Sequence, residues 1–163
     1  MAKMNVRGFQ EFLDQLVRAG QASGKVTGVA LYEGVKVVAD ELRAQTEDLP
    51  VDRGKKKKDG KNSKRGLTAE EKQGLLERLG SSTARKTGAD KNIVIGFGGY
   101  SSHKTETWKQ GVPNALVARS VDRGTSFMRA THFLSRTARL SKDRAEAAMK
   151  EAAEAELRRI FTE

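Results

Sequence analysis

The chain contains no cysteine, which excludes disulfides and thiolate-bound metals and leaves packing as the source of stability. It has no apolar run near the roughly 20 residues that a membrane helix needs, so no membrane span is expected. The N-terminus Met-Ala-Lys-Met-Asn-Val-Arg-Gly-Phe has no continuous apolar stretch, so no secretory signal is expected and the chain should stay in the cytoplasm that made it. Catalytic patterns are equally sparse. The two histidines, His103 and His132, have no His-Glu-x-x-His partner pattern, and no serine lies in a Gly-x-Ser-x-Gly elbow. Gly96-Phe97-Gly98-Gly99-Tyr100 lacks both the third glycine and the helix opening of a phosphate loop, and reads as a flexible turn. Glu70 and Glu71 suit a helix start, while Glu33, Asp40 and Glu41 suit a solvated helix face. The expectation is a chain with no enzymatic activity, no metal and no cofactor.

Charge is what the sequence has in excess. The net charge is +10, and the tract 53–65 holds Arg53, Lys55, Lys56, Lys57, Lys58, Lys61, Lys64 and Arg65 against one acid, Asp59. That local +7 leaves +3 for the rest, so the basicity reads as mostly one loop. Residues 54–66 include no hydrophobic side chain, so the tract has nothing to bury and is expected to be a mobile insertion at about 53–66. One reading makes it a solvated tether. The other makes it a sequence-independent contact to phosphates, with an affinity that falls as salt rises. It holds no aromatic residue, so a stacking platform for single strands is not indicated.

Periodicity supplies the elements. Phe9, Phe12, Leu13, Leu16 and Val17 fall at helical spacings and predict a first amphipathic helix over 6–22, interrupted by Gly20 and Gly24. Val26, Val29, Ala30, Val37, Val38 and Leu42 predict a second over 25–46, with Gly28 and Gly34 each weakening it by roughly 1 kcal/mol relative to alanine. Pro50 ends that run. Thr68-Ala69-Glu70-Glu71 fits a capping box opening a short helix over 69–79, closed by Gly80. Asn92-Ile93-Val94-Ile95-Gly96-Phe97 predicts a strand, with 83–87 as a neighbour across Gly88-Ala89-Asp90.

The stretch 115–124 alternates Leu116, Ala118 and Ser120 with Val117, Arg119 and Val121, which predicts a second strand, paired antiparallel with 92–97 and ending at Gly124. Ala138, Ala145, Ala148, Met149, Ala152, Ala155, Ile160 and Phe161 then predict a closing helix over about 135–161. The expected fold is α+β in one domain: N-terminal helices, a small, mostly antiparallel sheet and a long C-terminal helix.

Four of these segments carry a resemblance. They are Gly66-Leu67-Thr68-Ala69-Glu70-Glu71-Lys72-Gln73-Gly74-Leu75-Leu76, Ile95-Gly96-Phe97-Gly98-Gly99-Tyr100, Pro113-Asn114-Ala115-Leu116-Val117-Ala118-Arg119-Ser120-Val121, and Gly124-Thr125-Ser126 with Phe133-Leu134. In this order they resemble the neck, or tail-completion, family of long-tailed bacteriophages and prophages over about residues 25–161. The Leu-Pro-Val-Asp-x-Gly signal at 49–54 matches as well. Where that family has Glu-aromatic-Gly-Thr this chain has Asp122-Arg123-Gly124-Thr125, and where it has Pro-Phe-Leu this chain has His132-Phe133-Leu134. Proline pre-sets φ at a helix start, so His132 is expected to loosen that entrance.

The resemblance implies a virion structural protein at the head-tail junction, a homo-oligomeric ring with a hexamer as candidate stoichiometry. Its neighbours would be head-closure and tail-tube or tail-terminator proteins, with DNA passing through the centre. Gly124, Thr125, Phe133 and Leu134 would then form the structural turn and joint. Residues Arg53, Lys55, Lys56, Lys57, Lys58, Lys61, Lys64 and Arg65 would contact DNA or a neighbouring subunit. The alternative is a basic nucleic-acid-binding accessory protein that uses the lysine-rich loop.

Overall fold

The computed structural model describes residues 9–52, 66–87, 90–126 and 128–162. The lysine-rich tract, from Arg53 to Arg65, lies outside these residues. Among the described residues the order is α1 (Phe9–Glu47), α2 (Ala69–Glu77), β1 (Leu79–Ser81), β2 (Arg85–Thr87), β3 (Asp90–Asn92), β4 (Ile95–Phe97), α3 (Asn114–Arg123) and α4 (Phe133–Thr162). Helices, antiparallel strand pairs and a long closing helix make the fold α+β, as expected.

The expected break at Gly20 and Gly24 is absent, and α1 runs through both as one helix of 39 residues, about 58 Å at 1.5 Å per residue. Glycine costs a helix about 1 kcal/mol but keeps its N–H, so unlike proline it leaves the hydrogen-bond ladder whole. Packing against α4 offsets that cost. The two helices run antiparallel, with Lys25 Nζ 2.6 Å from Glu156 Oε1 near one end and Arg144 Nη2 2.5 Å from Glu41 Oε2 further along. Gly34 is buried between them: a Cβ there would lie 2.5 Å from Met149 Cγ. Gly28 meets nothing within 4 Å. The helix stops at Glu47, ahead of Pro50, and Lys72 Nζ donates to the carbonyls of Glu47 and Leu49.

The capping box is present. Glu71 N donates to Thr68 Oγ1 at 3.1 Å and Thr68 N donates to Glu71 Oε2 at 3.1 Å. The helix ends earlier than expected, at Glu77 with Arg78 as its cap, because Leu79 to Ser81 is drawn into strand pairing and Gly80 belongs to β1. Likewise the expected strand 92–97 is split. β1 pairs with β4 in the register Leu79↔Phe97, and β2 pairs with β3 in the register Arg85↔Asn92. The two ladders lie along one antiparallel ribbon, bridged where Ser82 N donates to Val94 O at 2.8 Å and Val94 N to Ser82 Oγ at 3.1 Å. The ribbon leans on α1, through Ala84 N donating to Tyr32 Oη and Lys91 Nζ donating to Gly24 O.

The strand expected over 115–124 is a helix, α3, and its pairing with 92–97 does not exist, since β4 is partnered by β1. The alternation in the sequence covers too few residues to distinguish periods. A strand would place Val117 and Ala118 on opposite faces, whereas both are buried here with Val121, at helical spacing, and Leu116 is 39% exposed. These residues join Leu42, Leu49, Leu67, Leu75, Phe97 and Phe133 in one core, in which the Phe97 and Phe133 rings are tilted at 47° with centroids 6.2 Å apart.

The last helix begins at Phe133, two residues before the expected start, and its buried stripe is Phe133, Thr137, Ser141 and Ala145. Ala138, Ala155 and Phe161, expected on the apolar side, are exposed. Thr137 Oγ1 donates to Phe133 O at 2.9 Å and Ser141 Oγ to Thr137 O at 2.8 Å, so two small hydroxyl residues are satisfied by their own helix and can be buried.

Candidate functional site

The joint between α3 and α4 holds the turn and joint residues read from the sequence. α3 ends at Arg123 and is capped by Gly124, with φ 77°, where a Cβ would lie 2.7 Å from Ala130 N and 2.9 Å from Met128 O. Only glycine accepts both the left-handed backbone and that approach. Thr125 N donates to Met128 O at 2.9 Å and Met128 N to Thr125 O at 3.3 Å, which turns the chain back. The returning strand of backbone is fastened to the end of α3. Thr131 N and Thr131 Oγ1 both donate to Val121 O, at 3.1 and 2.9 Å, and His132 N donates to Asp122 O at 3.0 Å.

Asp122 then binds the next helix as well: its Oδ1 accepts from Leu134 N at 2.9 Å. A buried carboxylate on one helix thus caps the N-terminus of another, where unpaired N–H groups and the helix dipole favour negative charge. The sequence reading missed Asp122 because its partner is twelve residues on, beyond the reach of any local capping pattern. His132, which stands just before Phe133 at the entrance of α4, has φ 53°. Proline is locked near −65° and has no N–H to give to Asp122 O, so this backbone excludes it. The entrance expected to be loosened is instead held by hydrogen bonds from Thr131, His132 and Leu134.

Gly124, Thr125, Phe133 and Leu134 are therefore brought together, in different roles. Phe133 is 1% exposed and belongs to the core, whereas the Leu134 side chain faces outward while its amide is capped. Arg53, Lys55, Lys56, Lys57, Lys58, Lys61, Lys64 and Arg65 lie outside the described residues, but the residues that flank their tract at both ends are tied to each other. Gly66 N donates to Asp52 Oδ2 at 2.9 Å and Asp52 N to Leu67 O at 2.8 Å. These ends line a largely apolar cavity of about 290 Å³ together with Val121, Met128, Arg129 and Thr131 of the joint. The fold thus sets the root of the basic tract beside the α3–α4 joint, a neighbourhood no sequence pattern announces.

At the other end of α3, Asn114 is fully buried. Its Nδ2 donates to Gly98 O at 2.8 Å and its N to Gly99 O at 3.1 Å, tying the helix start to the end of the ribbon. Residues 100–112 fold back on themselves, with Ser101 N donating to Val112 O at 2.8 Å and Val112 N to His103 O at 3.0 Å. Tyr100 and Trp108 are exposed there. Among the described residues no group of three or more His, Asp or Glu side chains could hold a metal ion, and no helix is long and apolar enough to cross a membrane. No protein family, curated protein or solved structure matches the chain.

Proposed function

We propose that the chain is a structural subunit of the neck of a long-tailed bacteriophage, assembling as a ring that joins the tail tube to the head-closure complex around the DNA channel. The observation that carries the reading is the ordered set of four segments that resemble the tail-completion family, together with what they do here. Leu67 and Leu75 come from the first, Phe97 from the second, Val117, Ala118 and Val121 from the third, and Phe133 from the fourth, and all lie in one core. The segments are thus parts of one packed unit, as motifs that specify a shared fold would be. Exposed apolar residues on the ribbon and the following loop, Val94, Tyr100 and Trp108, supply surface for neighbouring subunits.

In this reading the chain performs no chemistry. Its partners are further copies of itself, the head-closure protein and the tail-tube or terminator protein, and its place is the head-tail junction of the virion. The test combines mass spectrometry of purified particles with negative-stain microscopy of the protein incubated with its head-closure neighbour. The expected result is the protein in particles, at a few copies per virion, and a ring in the mixture. Absence from particles together with a monomer under every assembly condition would overturn the reading.

A further inference from the structure

The tract 53–65 is not the only basic concentration in the chain. Between residues 119 and 139 stand Arg119, Arg123, Arg129, Arg136 and Arg139 against one acid, Asp122, a balance of +4. Of the net +10 the tract holds +7 and this segment +4, so all other residues together sum to −1. The one acid in the segment is buried and already caps α4. All five arginines are exposed, and among the described residues none forms an ion pair with a carboxylate.

The fold gathers part of this charge. Thr131, His132, Ser135, Arg136 and Arg139 line an open cleft of about 350 Å³ on the first turns of α4, with no carboxylate in its wall. Thr131 also lines the neighbouring cavity, where Arg129 stands, so the cavity of Arg129 adjoins the cleft of Arg136 and Arg139 at Thr131. The carboxylate in that second cavity, Asp52, accepts from Gly66 N, and the next acid along the α4 face, Asp143, is a turn beyond Arg139. The helix end itself contributes little, because Asp122 occupies its Leu134 amide.

We propose that Arg129, Arg136 and Arg139, with His132 between them, form a contact surface for the phosphate backbone of duplex DNA. A guanidinium presents a planar fork of donors that matches phosphate oxygens, and Arg136 and Arg139 are one helical turn apart, so they can engage neighbouring phosphates. No Phe, Tyr or Trp lines the cleft, and the single imidazole of His132 makes no succession of rings on which the splayed bases of a single strand could stack. An exposed surface of this kind reads backbone charge and not base sequence. This goes beyond the ring reading and does not depend on it.

The test measures binding of a short fluorescent DNA duplex to the full chain by anisotropy over a range of sodium chloride, with the folded state checked by circular dichroism. Each phosphate contact contributes about 0.9 to the slope of log affinity against log salt. The variant Arg129→Gln/Arg136→Gln/Arg139→Gln is expected to flatten the slope by about 2 to 3 and to weaken binding at least tenfold at low salt. Arg119→Gln/Arg123→Gln, on α3, is the charge comparison and is expected to change the slope by less than 1. An equal loss in both variants would overturn the assignment to this surface, as would an unchanged slope in the triple variant or no binding by the parent chain. Competition separates other ligands of similar chemistry. Release of the duplex by inorganic phosphate or polyglutamate as readily as by unlabelled duplex of equal charge would also overturn it, and so would tighter binding of a single strand.

Discussion

At the scale of single residues the joint depends on backbone conformations that side-chain chemistry alone does not reveal. His132 has φ 53°, which costs an L-residue about 1 to 2 kcal/mol, and its N–H is bonded to Asp122 O. His132→Pro is therefore expected to destabilise the protein by about 3 kcal/mol or more, since proline can neither adopt that φ nor donate. His132→Gly is expected to stay within about 1 kcal/mol of the parent, because relief of strain offsets the extra entropy of an unfolded glycine. Urea unfolding of the three proteins would check this, and a proline variant as stable as the parent would refute the backbone described at this position. The resemblance to a family with proline here drew attention to the right residue for the wrong physical reason. The difference is a matter of φ, which one sequence does not encode in any local pattern. Gly124 was legible, because a glycine between two periodic runs has few other uses, and its close approach to Ala130 N gives that legibility a steric cause.

At the scale of elements, what could be read was whatever is decided locally. The Thr68 to Glu71 capping box is satisfied within one turn, so its sequence sufficed. α3 was misread because ten residues fit a two-residue and a 3.6-residue period nearly equally, and burial decides between them. The buried stripe of α4 was missed because it passes through Thr137 and Ser141, whose hydroxyls are satisfied by carbonyls one turn back. The pairing of α1 with α4 was likewise invisible, yet it gives the glycines of α1 distinct roles. Gly28→Ala adds a methyl where nothing lies within 4 Å and should stabilise the protein by about 0.5 to 1 kcal/mol. Gly34→Val instead pushes a branched side chain against Met149 and should destabilise it by about 1 to 3 kcal/mol. Thermal unfolding of the two variants would show shifts of opposite sign.

The same helix pair has an acid-sensitive clasp. The hydrogen bond from Lys25 holds the Glu156 carboxyl below its ordinary range, against the opposing effect of burial. A carboxyl whose pKa is lowered on folding stabilises the fold above its unfolded value, near pH 4.5, and loses that contribution as the pH falls through the lower folded value. Lys25→Met should therefore narrow the gap in stability between pH 6 and pH 3, as read by denaturant midpoints at the two values.

At the scale of the whole molecule the surface is divided. The α3–α4 joint presents arginines, while the ribbon and the loop after it present apolar side chains, with Val94 the most exposed of the described large hydrophobic residues at 64%. A side chain that open contributes little to the fold, and its backbone hydrogen bonds to Ser82 do not depend on what it carries. Val94→Asp is accordingly expected to leave the unfolding free energy within about 0.5 kcal/mol of the parent. In a ring built through this surface the same change buries a charge between subunits with no partner to meet it, which costs several kcal/mol per contact and is repeated around the ring. Sedimentation of the variant with its head-closure neighbour should then show monomer where the parent shows a ring, and particles complemented with it should lack tails. If the variant assembled as the parent does, the ribbon would be a solvent face, and the subunit contacts of a neck ring would have to be sought on the long helices, where Tyr32, Leu134, Leu140 and Phe161 are exposed apolar residues.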